Sequence, residues 1–410
     1  MEATFRTQLS TELKSLNPAD PHYASRFVDV LLSTGERCGA SDLHLQPTAD
    51  GLELRWRRDG VLLPLGTFPS GLAADVVTRL KVLADLLTYR NDVPQEGRIR
   101  AAAGAVEMRV STFPTLHGEK AVVRLFGAAA QYQLLDELGL PDEVLDRTRR
   151  LLAETSGAIL ITGPAGSGKT TTLYACLREL VQAAGGIRNI VTLEDPVEVE
   201  IPQVAQSQVN EAAGFNLATG LRSILRQDPE VIMVGEIRDR VTAEVALQAS
   251  LTGQLVLSSF HAGSAAGALS RLSDMGIEPY ILRSGILAVI SQRLVRRLCH
   301  CSRDADRPEA FLGLAVRHAR TAVGCDECAH TGYRGRTVLA EMLVADAGAV
   351  GQAILARADA AALERSAVEA GMVSRWDRAA RAIEVGITSP AEVRRVLGFS
   401  DQNGPPTLSI

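Results

Sequence analysis

The chain has 410 residues, with 43 Lys plus Arg against 48 Asp plus Glu and a formal net charge of −5. At roughly 100 to 200 residues per domain, that length holds two to four domains and excludes a peptide or a single small module. Hydrophobic residues at 46% and charged residues at 22% exclude a disordered or a membrane-embedded chain, and the acidic balance speaks against nucleic-acid binding through bulk charge.

In chain order, residues 1–22 are polar, close in the turn cluster NPADPH, and read as an arm or a single helix. They lack the basic start and apolar stretch of a signal peptide, and no apolar run reaches about 18 residues, so a soluble, cytoplasmic protein is expected. From residue 23 the pattern changes. FVDVLLSTGERCGA has a helical period, LHLQP and LELRWR alternate like strands, and Asp50-Gly51 and Asp59-Gly60 mark tight hairpins. LAADVVTRLKVLADL is helical again, and GRIRAAAGAVEMRVSTFPTLHGEKAVVRLF reads as strands joined by turns. The expectation is a compact α+β domain over 23–127, then a linker and lead-in helix over 128–156, the linker beginning in the Ala/Gly-rich stretch 127–133. A second domain over 157–398 shows AILIT, IVTLED, VIMVGE and LVLSSF, apolar β-rich runs separated by helical segments, which predicts an α/β fold with a mostly parallel sheet. A cysteine-bearing insert spans 299–335, the rest to about residue 397 reads as helices, and 399–410 as a disordered tail.

Within the second domain, GPAGSGKT at 163–170 fits G-x-x-x-x-G-K-[ST] between an apolar strand and a helix. Gly163, Pro164, Ala165, Gly166, Ser167 and Gly168 would turn backbone N–H groups toward a phosphate at the helix N-terminus. Lys169 would give a point charge to the β- and γ-phosphates of ATP, and Thr170, followed by Thr171, a hydroxyl to Mg²⁺. Such a loop needs acids. VIMVGE ends in Glu236, the metal-side carboxylate, and TLEDPVE gathers Glu194, Asp195 and Glu198 after another apolar run, a repulsive cluster unless a cation or a proton-transfer task offsets it. Cys299, Cys301, Cys325 and Cys328 fall within a 30-residue stretch, a spacing that suggests metal, whereas Cys38 and Cys176 stand alone and read as buried core thiols. The basic run Arg293, Arg296 and Arg297 reads as a solvated helix face, with anionic lipid or an acidic partner loop as the other reading.

These motifs resemble the secretion ATPases that power type II secretion and type IV pilus assembly. ASDLHLQP, PQEGRI, RVST, GEKAVVRL, LEDPVE, LRSILRQDPEVIMVGEIRD, QRLVRRLC and GYRGR are similar to that family's signature segments, from about residue 25 to 397. The resemblance implies a RecA-like P-loop NTPase domain preceded by a smaller α+β, PAS-like domain. It also implies a homo-hexameric motor on the cytoplasmic face of the inner membrane, held there peripherally by a platform protein; no nucleic-acid partner is expected, on the charge balance. By matching positions Glu198 becomes the general base, Glu236 acts through Mg²⁺, and His261 belongs to the family's His box. Arg98 and Arg109 would reach the bound nucleotide, and Arg222, Arg226, Arg238 and Arg336 would surround the site or the subunit interface. The cysteines would hold a structural Zn²⁺.

Three departures stand out. Where the family has T-G-H and then T-L-H-T-N-D, this chain has Thr252-Gly253-Gln254 and Ser259-Phe260-His261-Ala262-Gly263-Ser264. The first C-x-x-C pair is shortened to Cys299-His300-Cys301, with His300 as an available substitute ligand, and only about 22 residues precede the first matching segment. The altered box would permit a nucleotide-binding scaffold with weak hydrolysis in place of a working motor; a third reading, a DNA-uptake motor, is opposed by the charge balance and the 4% aromatic content.

Overall fold

A computed structural model of the chain describes residues 9, 11–17, 19–99, 108–125, 134–183, 188–305, 307–345 and 348–399. The expected linker at 127–133 and the tail beyond residue 399 lie outside them. Two compact units emerge: Met1–Gln131 with Leu298–Arg303 and Ala322–Gly335, and Tyr132–Arg297 with Asp304–Thr321 and Arg336–Ile410. The cysteine segments thus group with the first unit, whereas the sequence places them in the phosphate-loop domain. Among the described residues no helix is long and apolar enough to cross a membrane.

In the first unit, α1 (Tyr23–Arg37) buries Tyr23, Phe27, Val28, Leu31 and Leu32, one stripe of a 3.6-residue period. It packs with α2 (Ala73–Leu83) on an antiparallel sheet of β1 (Asp42–Thr48), β2 (Gly51–Arg58), β3 (Val61–Phe68), β4 (Gln95–Ile99), β5 (Met108–Thr115) and β6 (Gly118–Leu125), in the order β3-β2-β1-β6-β5-β4. The second Asp-Gly turn is as its sequence demands, with φ of 47° at Asp59 and 78° at Gly60, the doubly positive pattern of a tight hairpin. Leu9 and Leu13 are buried in the same core, so that part of the expected arm is built into the unit.

The row Arg57–Asp42–Arg124–Arg109–Arg98 runs across five strands of this sheet. Like charges directly opposite each other destabilise a sheet. Here Asp42 lies 3.1 Å from Arg124 and 3.7 Å from Arg57, and Glu96 lies 2.5 Å from Arg109.

In the second unit, α3 (Asp142–Leu152) is the expected lead-in helix. There follow β7 (Gly157–Thr162), α4 (Lys169–Ala183), β8 (Ile190–Glu194), β9 (Ala205–Gln208), α5 (Leu217–Ile224), β10 (Val231–Ile237), α6 (Arg240–Leu251), β11 (Leu255–Phe260), α7 (Ala265–Asp274), α8 (Pro279–Gly285) and β12 (Ile286–Leu298). Beyond the two-residue strands β13 (Arg303–Asp304) and β14 (Arg320–Thr321) come β15 (Tyr333–Val344), α9 (Ala349–Leu355), α10 (Ala360–Glu369), α11 (Arg375–Glu384) and α12 (Pro390–Leu397). The large sheet has the order β15-β12-β7-β11-β10-β8-β9, and β12, β7, β11, β10, β8 and β9 run parallel. Ile159, Ile161, Val231, Met233 and Leu257 bury one face, and Leu160, Ile232, Val234 and Val256 the other. Burial on both faces explains why these strands read as continuous apolar runs. This is the RecA-like arrangement.

Two expectations change. The stretch after the cysteines begins with a strand, β15, before the helices. The basic run lies on β12 and is not a solvated helix face: Arg296 pairs at 2.7 Å with Glu392, whose side chain is fully buried, and Arg293 donates to the carbonyls of Gln292 and Gly263.

The first unit also holds a buried ion pair. Lys81, with no exposed surface, donates to Glu119 at 2.8 Å, to the Arg90 carbonyl at 2.7 Å and to Asn91 Oδ1 at 2.9 Å. Replacing Lys81 by Met strands the Glu119 charge, and denaturant unfolding should show the first unit weakened by about 3 to 5 kcal/mol, with much of that regained when Glu119→Leu is added.

Candidate nucleotide site

In a parallel sheet every strand delivers its C-terminal residue to one edge, and that edge is where such folds bind ligands. The neighbours β7, β11, β10 and β8 deliver, in that order, the 163–170 loop, His261, Glu236 and Glu194. All four are legible in the sequence, and the topology puts them side by side.

The loop leaves β7 at Gly163, whose φ is +148°; a Cβ there would come within 2.5 Å of both the Gln292 carbonyl oxygen and Ser167 Oγ. Only glycine fits. Gly166 and Gly168 also have positive φ, and α4 begins at Lys169. The Lys169 ammonium donates to the carbonyls of Gly163 at 3.0 Å and Pro164 at 3.1 Å. Burial pushes its pKa below the ordinary lysine value; the Glu236 charge opposes that shift and Arg293 adds to it. Ser167 Oγ is buried without a partner among the described residues. An ammonium resting on loop carbonyls and an orphaned hydroxyl both suit a phosphate, and the hydroxyl of Thr170 and carboxylate of Glu236 are the hard oxygen donors Mg²⁺ takes.

Glu236 owes its direction to an irregularity. Val234 pairs with Ser258 and Ile237 with Phe260, so Gly235 and Glu236 together oppose the single residue Ser259. Strict alternation would send Glu236 into the apolar face with Ile232 and Val234; the bulge gives that place to Ile237. Ser259 Oγ donates to the Gly235 carbonyl at 2.6 Å and holds it in place. Glu236 then lies 3.0 Å from His261 Nε2 and 3.0 Å from Arg238 Nε, and Arg238 reaches Asp195 at 3.3 Å. Its carboxylate neighbours raise the Arg238 pKa further above the ordinary value, Glu236 foremost.

The other carboxylates are arranged differently. Glu194, 3% exposed, accepts from Tyr174 Oη at 2.5 Å, Thr192 Oγ1 at 2.6 Å and Gln206 Nε2 at 3.1 Å. Half-buried Glu198 offers its backbone N–H to Tyr174 Oη at 3.0 Å. Thr171 is half-buried in the first turn of α4. Arg222 and Arg226 are exposed around the C-terminal end of α5, and neither pairs with a carboxylate among the described residues. Arg336 is half-buried on β15, and Arg98 and Arg109 belong to the first unit's row of arginines.

The altered box is divided between the two ends of one strand. Gln254 precedes β11, so the six-residue strand, roughly 20 Å at 3.3 Å per residue, separates it from His261. Ser264, where the family pattern has Asp, caps α7 by accepting from Gly267 N at 2.9 Å, a task the two residue types share. Arg271 and Arg293 hold the loop between, donating to the carbonyls of His261 and Gly263 at 2.6 Å each. Sequence reasoning missed Tyr174, Gln206, Arg271 and Gln292. Tyr174 alone left a signal, a phenol in an otherwise apolar helix stripe whose hydroxyl needs a buried partner.

In the first unit, the Sγ atoms of Cys299, Cys301, Cys325 and Cys328 all lie within 4.8 Å of one another. Cys299 and Cys325 are 3.8 Å apart, Cys325 and Cys328 3.8 Å, and Cys301 and Cys328 3.9 Å. Four thiolates about 2.3 Å from a tetrahedral ion stand roughly 3.8 Å apart, so the shortened C-x-C segment fits a metal without help. The backbone N–H groups of Cys325 and Gly332 donate to Cys328 Sγ at 3.1 and 3.2 Å, as suits a thiolate. His300 stays at the edge, its Nδ1 3.5 Å from Cys299 Sγ.

Residues 18–395 match the family described as Type II/IV secretion system protein. The chain is 43% identical over 380 residues to the type II secretion system ATPase E of Vibrio cholerae serotype O1, an alignment covering 90% of this chain and 75% of that one. It is 39% identical over 400 residues to the type IV pilus assembly ATPase PilB of Thermus thermophilus, covering 95% of this chain and 44% of the relative. In fold it is similar to the solved Legionella pneumophila ATPase DotB, with a TM-score of 0.67 and 24% identity over 92% of this chain and 97% of that one.

The cysteine geometry makes a prediction of its own. Elemental analysis of the purified chain should find one zinc ion per chain, Cys325→Ser should lose it, and His300→Ala should keep it.

Proposed function

The chain is an ATPase of the Type II/IV secretion system protein family, and we propose that it works as a homo-hexameric motor that drives assembly of a type II secretion pseudopilus or a type IV pilus. It acts at the cytoplasmic face of the inner membrane, held there by a platform protein. The observation that carries this reading is the single sheet edge on which the phosphate loop, Glu236, His261 and the Glu194–Glu198 segment meet. A scaffold that only binds Mg·ATP needs the loop and Glu236; it does not need a further carboxylate, Glu198, beside the same edge.

In the proposed reaction, loop N–H groups and the N-terminus of α4 receive the β-phosphate, and Lys169 exchanges the Gly163 and Pro164 carbonyls for phosphate oxygens. Mg²⁺ held by Thr170 and Glu236 would neutralise charge on the phosphates. Glu198 orients water and takes its proton. Glu236 keeps His261 and Arg238 in place, so a change at the phosphates reaches the segment before α7 through His261 and Asp195 through Arg238. Arg222 and Arg226, exposed and without carboxylate partners among the described residues, serve an anionic group from a neighbouring copy or its nucleotide. Arg98, Arg109 and Arg336 contribute further positive charge toward nucleotide. The cysteine cluster holds a structural zinc.

With ATP and Mg²⁺ the purified chain should hydrolyse ATP; Lys169→Ala should lose binding and turnover, while Glu198→Gln should still bind but lose turnover by about a hundredfold or more. Mass measurements should find six copies with nucleotide. A wild-type chain that binds ATP as a hexamer without hydrolysing it would favour the scaffold reading.

A further inference from the structure

Between β8 and β9 the chain from Asp195 to Pro202 carries Glu198 and forms no regular ladder. Its backbone is held largely by side chains. The N–H of Val197 donates to Gln208 Oε1 at 3.3 Å, that of Glu198 to Tyr174 Oη at 3.0 Å, and that of Ile201 to Gln206 Oε1 at 2.6 Å, while the Val199 carbonyl accepts from Gln206 Nε2 at 3.1 Å. Gln206 and Gln208 belong to the neighbouring strand β9. Tyr174 comes from α4, five residues after Lys169, and its side chain is fully buried. It is the residue that ties the Glu198 backbone to the helix of the phosphate loop.

We propose that Tyr174 is the positioning residue for Glu198: its hydroxyl, oriented by the buried Glu194 carboxylate, fixes the backbone of the base relative to the phosphate loop. The inference rests on the reading of Glu198 as general base. A phenol has one proton, and here it goes to Glu194 Oε2 at 2.5 Å, which leaves a lone pair to accept the Glu198 N–H. Glu194 is held in turn by Thr192 and Gln206. Burial pushes the Tyr174 hydroxyl well above its ordinary pKa and Glu194 adds to that, so the proton stays in place across the working pH range. Because Lys169 and Tyr174 lie on one helix, the γ-phosphate and the base are both located from α4, and a shift of about 1 Å at the base is enough to lose roughly a hundredfold in rate. Glu194 acts through Tyr174 and is not itself in contact with substrate.

The test uses the full chain and four variants. Tyr174→Phe keeps the ring and deletes the hydroxyl. The proposal expects kcat for ATP hydrolysis to fall at least about tenfold, with KM and the affinity for a non-hydrolysable ATP analogue held within about twofold. Hydrogen–deuterium exchange should speed up across 195–201 and stay unchanged in α4. Glu198→Gln should lose turnover by about a hundredfold or more, and Tyr174→Phe added to it should lower the residual rate no further, since both changes act through one group. If Tyr174→Phe does not fold, Glu194→Gln, which keeps side-chain shape, is judged by the same rate and exchange readouts. An active Glu198→Gln would sink the base assignment itself. An inactive Glu198→Gln beside a Tyr174→Phe with wild-type kcat, or with kcat and KM disturbed together, would sink the positioning role alone.

Discussion

The absence of a side chain at residue 163 is the constraint on which the candidate nucleotide site depends. The β7 strand runs beside β12, and where β7 ends its backbone passes so close to the Gln292 carbonyl and Ser167 Oγ that a single methyl group would collide with both. That approach lets the chain reverse and start α4 with its N-terminus facing the sheet edge. The same helix sends two buried side chains outward: Thr172 to Gln292 Nε2 at 2.9 Å and Tyr174 to Glu194 and Glu198. A helix set by one glycine thus fixes a neighbouring strand on one side and the segment bearing Glu198 on the other.

Buried carboxylates do comparable work further along the unit. Glu341, 1% exposed, accepts the backbone N–H of Ala265 at 3.0 Å and of Arg375 at 2.9 Å, so one charge faces the N-termini of α7 and α11 together. Both helix ends present unsatisfied donors and a positive partial charge, which makes them suitable surroundings for a buried anion. Glu392 accepts the Arg296 backbone N–H and pairs with the guanidinium groups of Arg296 and Arg395. Burial alone would raise its pKa, yet those partners outweigh burial and hold it below the ordinary value. The start of α7, four residues beyond His261, is therefore anchored to the C-terminal helices by hydrogen bonds and not by apolar packing alone.

Much of this was legible in the sequence because it depends on local chemistry. Asp59-Gly60 can supply two positive φ values, apolar runs without alternation fit strands covered on both faces, and the phosphate loop carries its own backbone requirements. The strands β12 and β15 were not legible. ILAVISQRLVRRL and VLAEML are rich in Leu, Ala, Arg, Glu and Met, whose preference is for helix, and only a place at the side of the large sheet turns them into strands. The direction of Glu236 was hidden for a related reason: a bulge is a property of two strands, and VIMVGEI read alone predicts the opposite face. The identities of the acids were readable, but the hydrogen bonds that aim them were not, since Tyr174, Thr192 and Gln206 meet Glu194 from three different elements.

The division of the chain into units has a consequence for inheritance. The backbone passes from one unit to the other five times, and the two cysteine-bearing segments lie in short stretches, 298–303 and 322–335, captured from the middle of the catalytic half. A gene cut at any one point cannot deliver either unit whole. Recombination that exchanged the first 131 codons would leave the four thiols behind with the other parent, so these two units cannot be traded between relatives as separate cassettes.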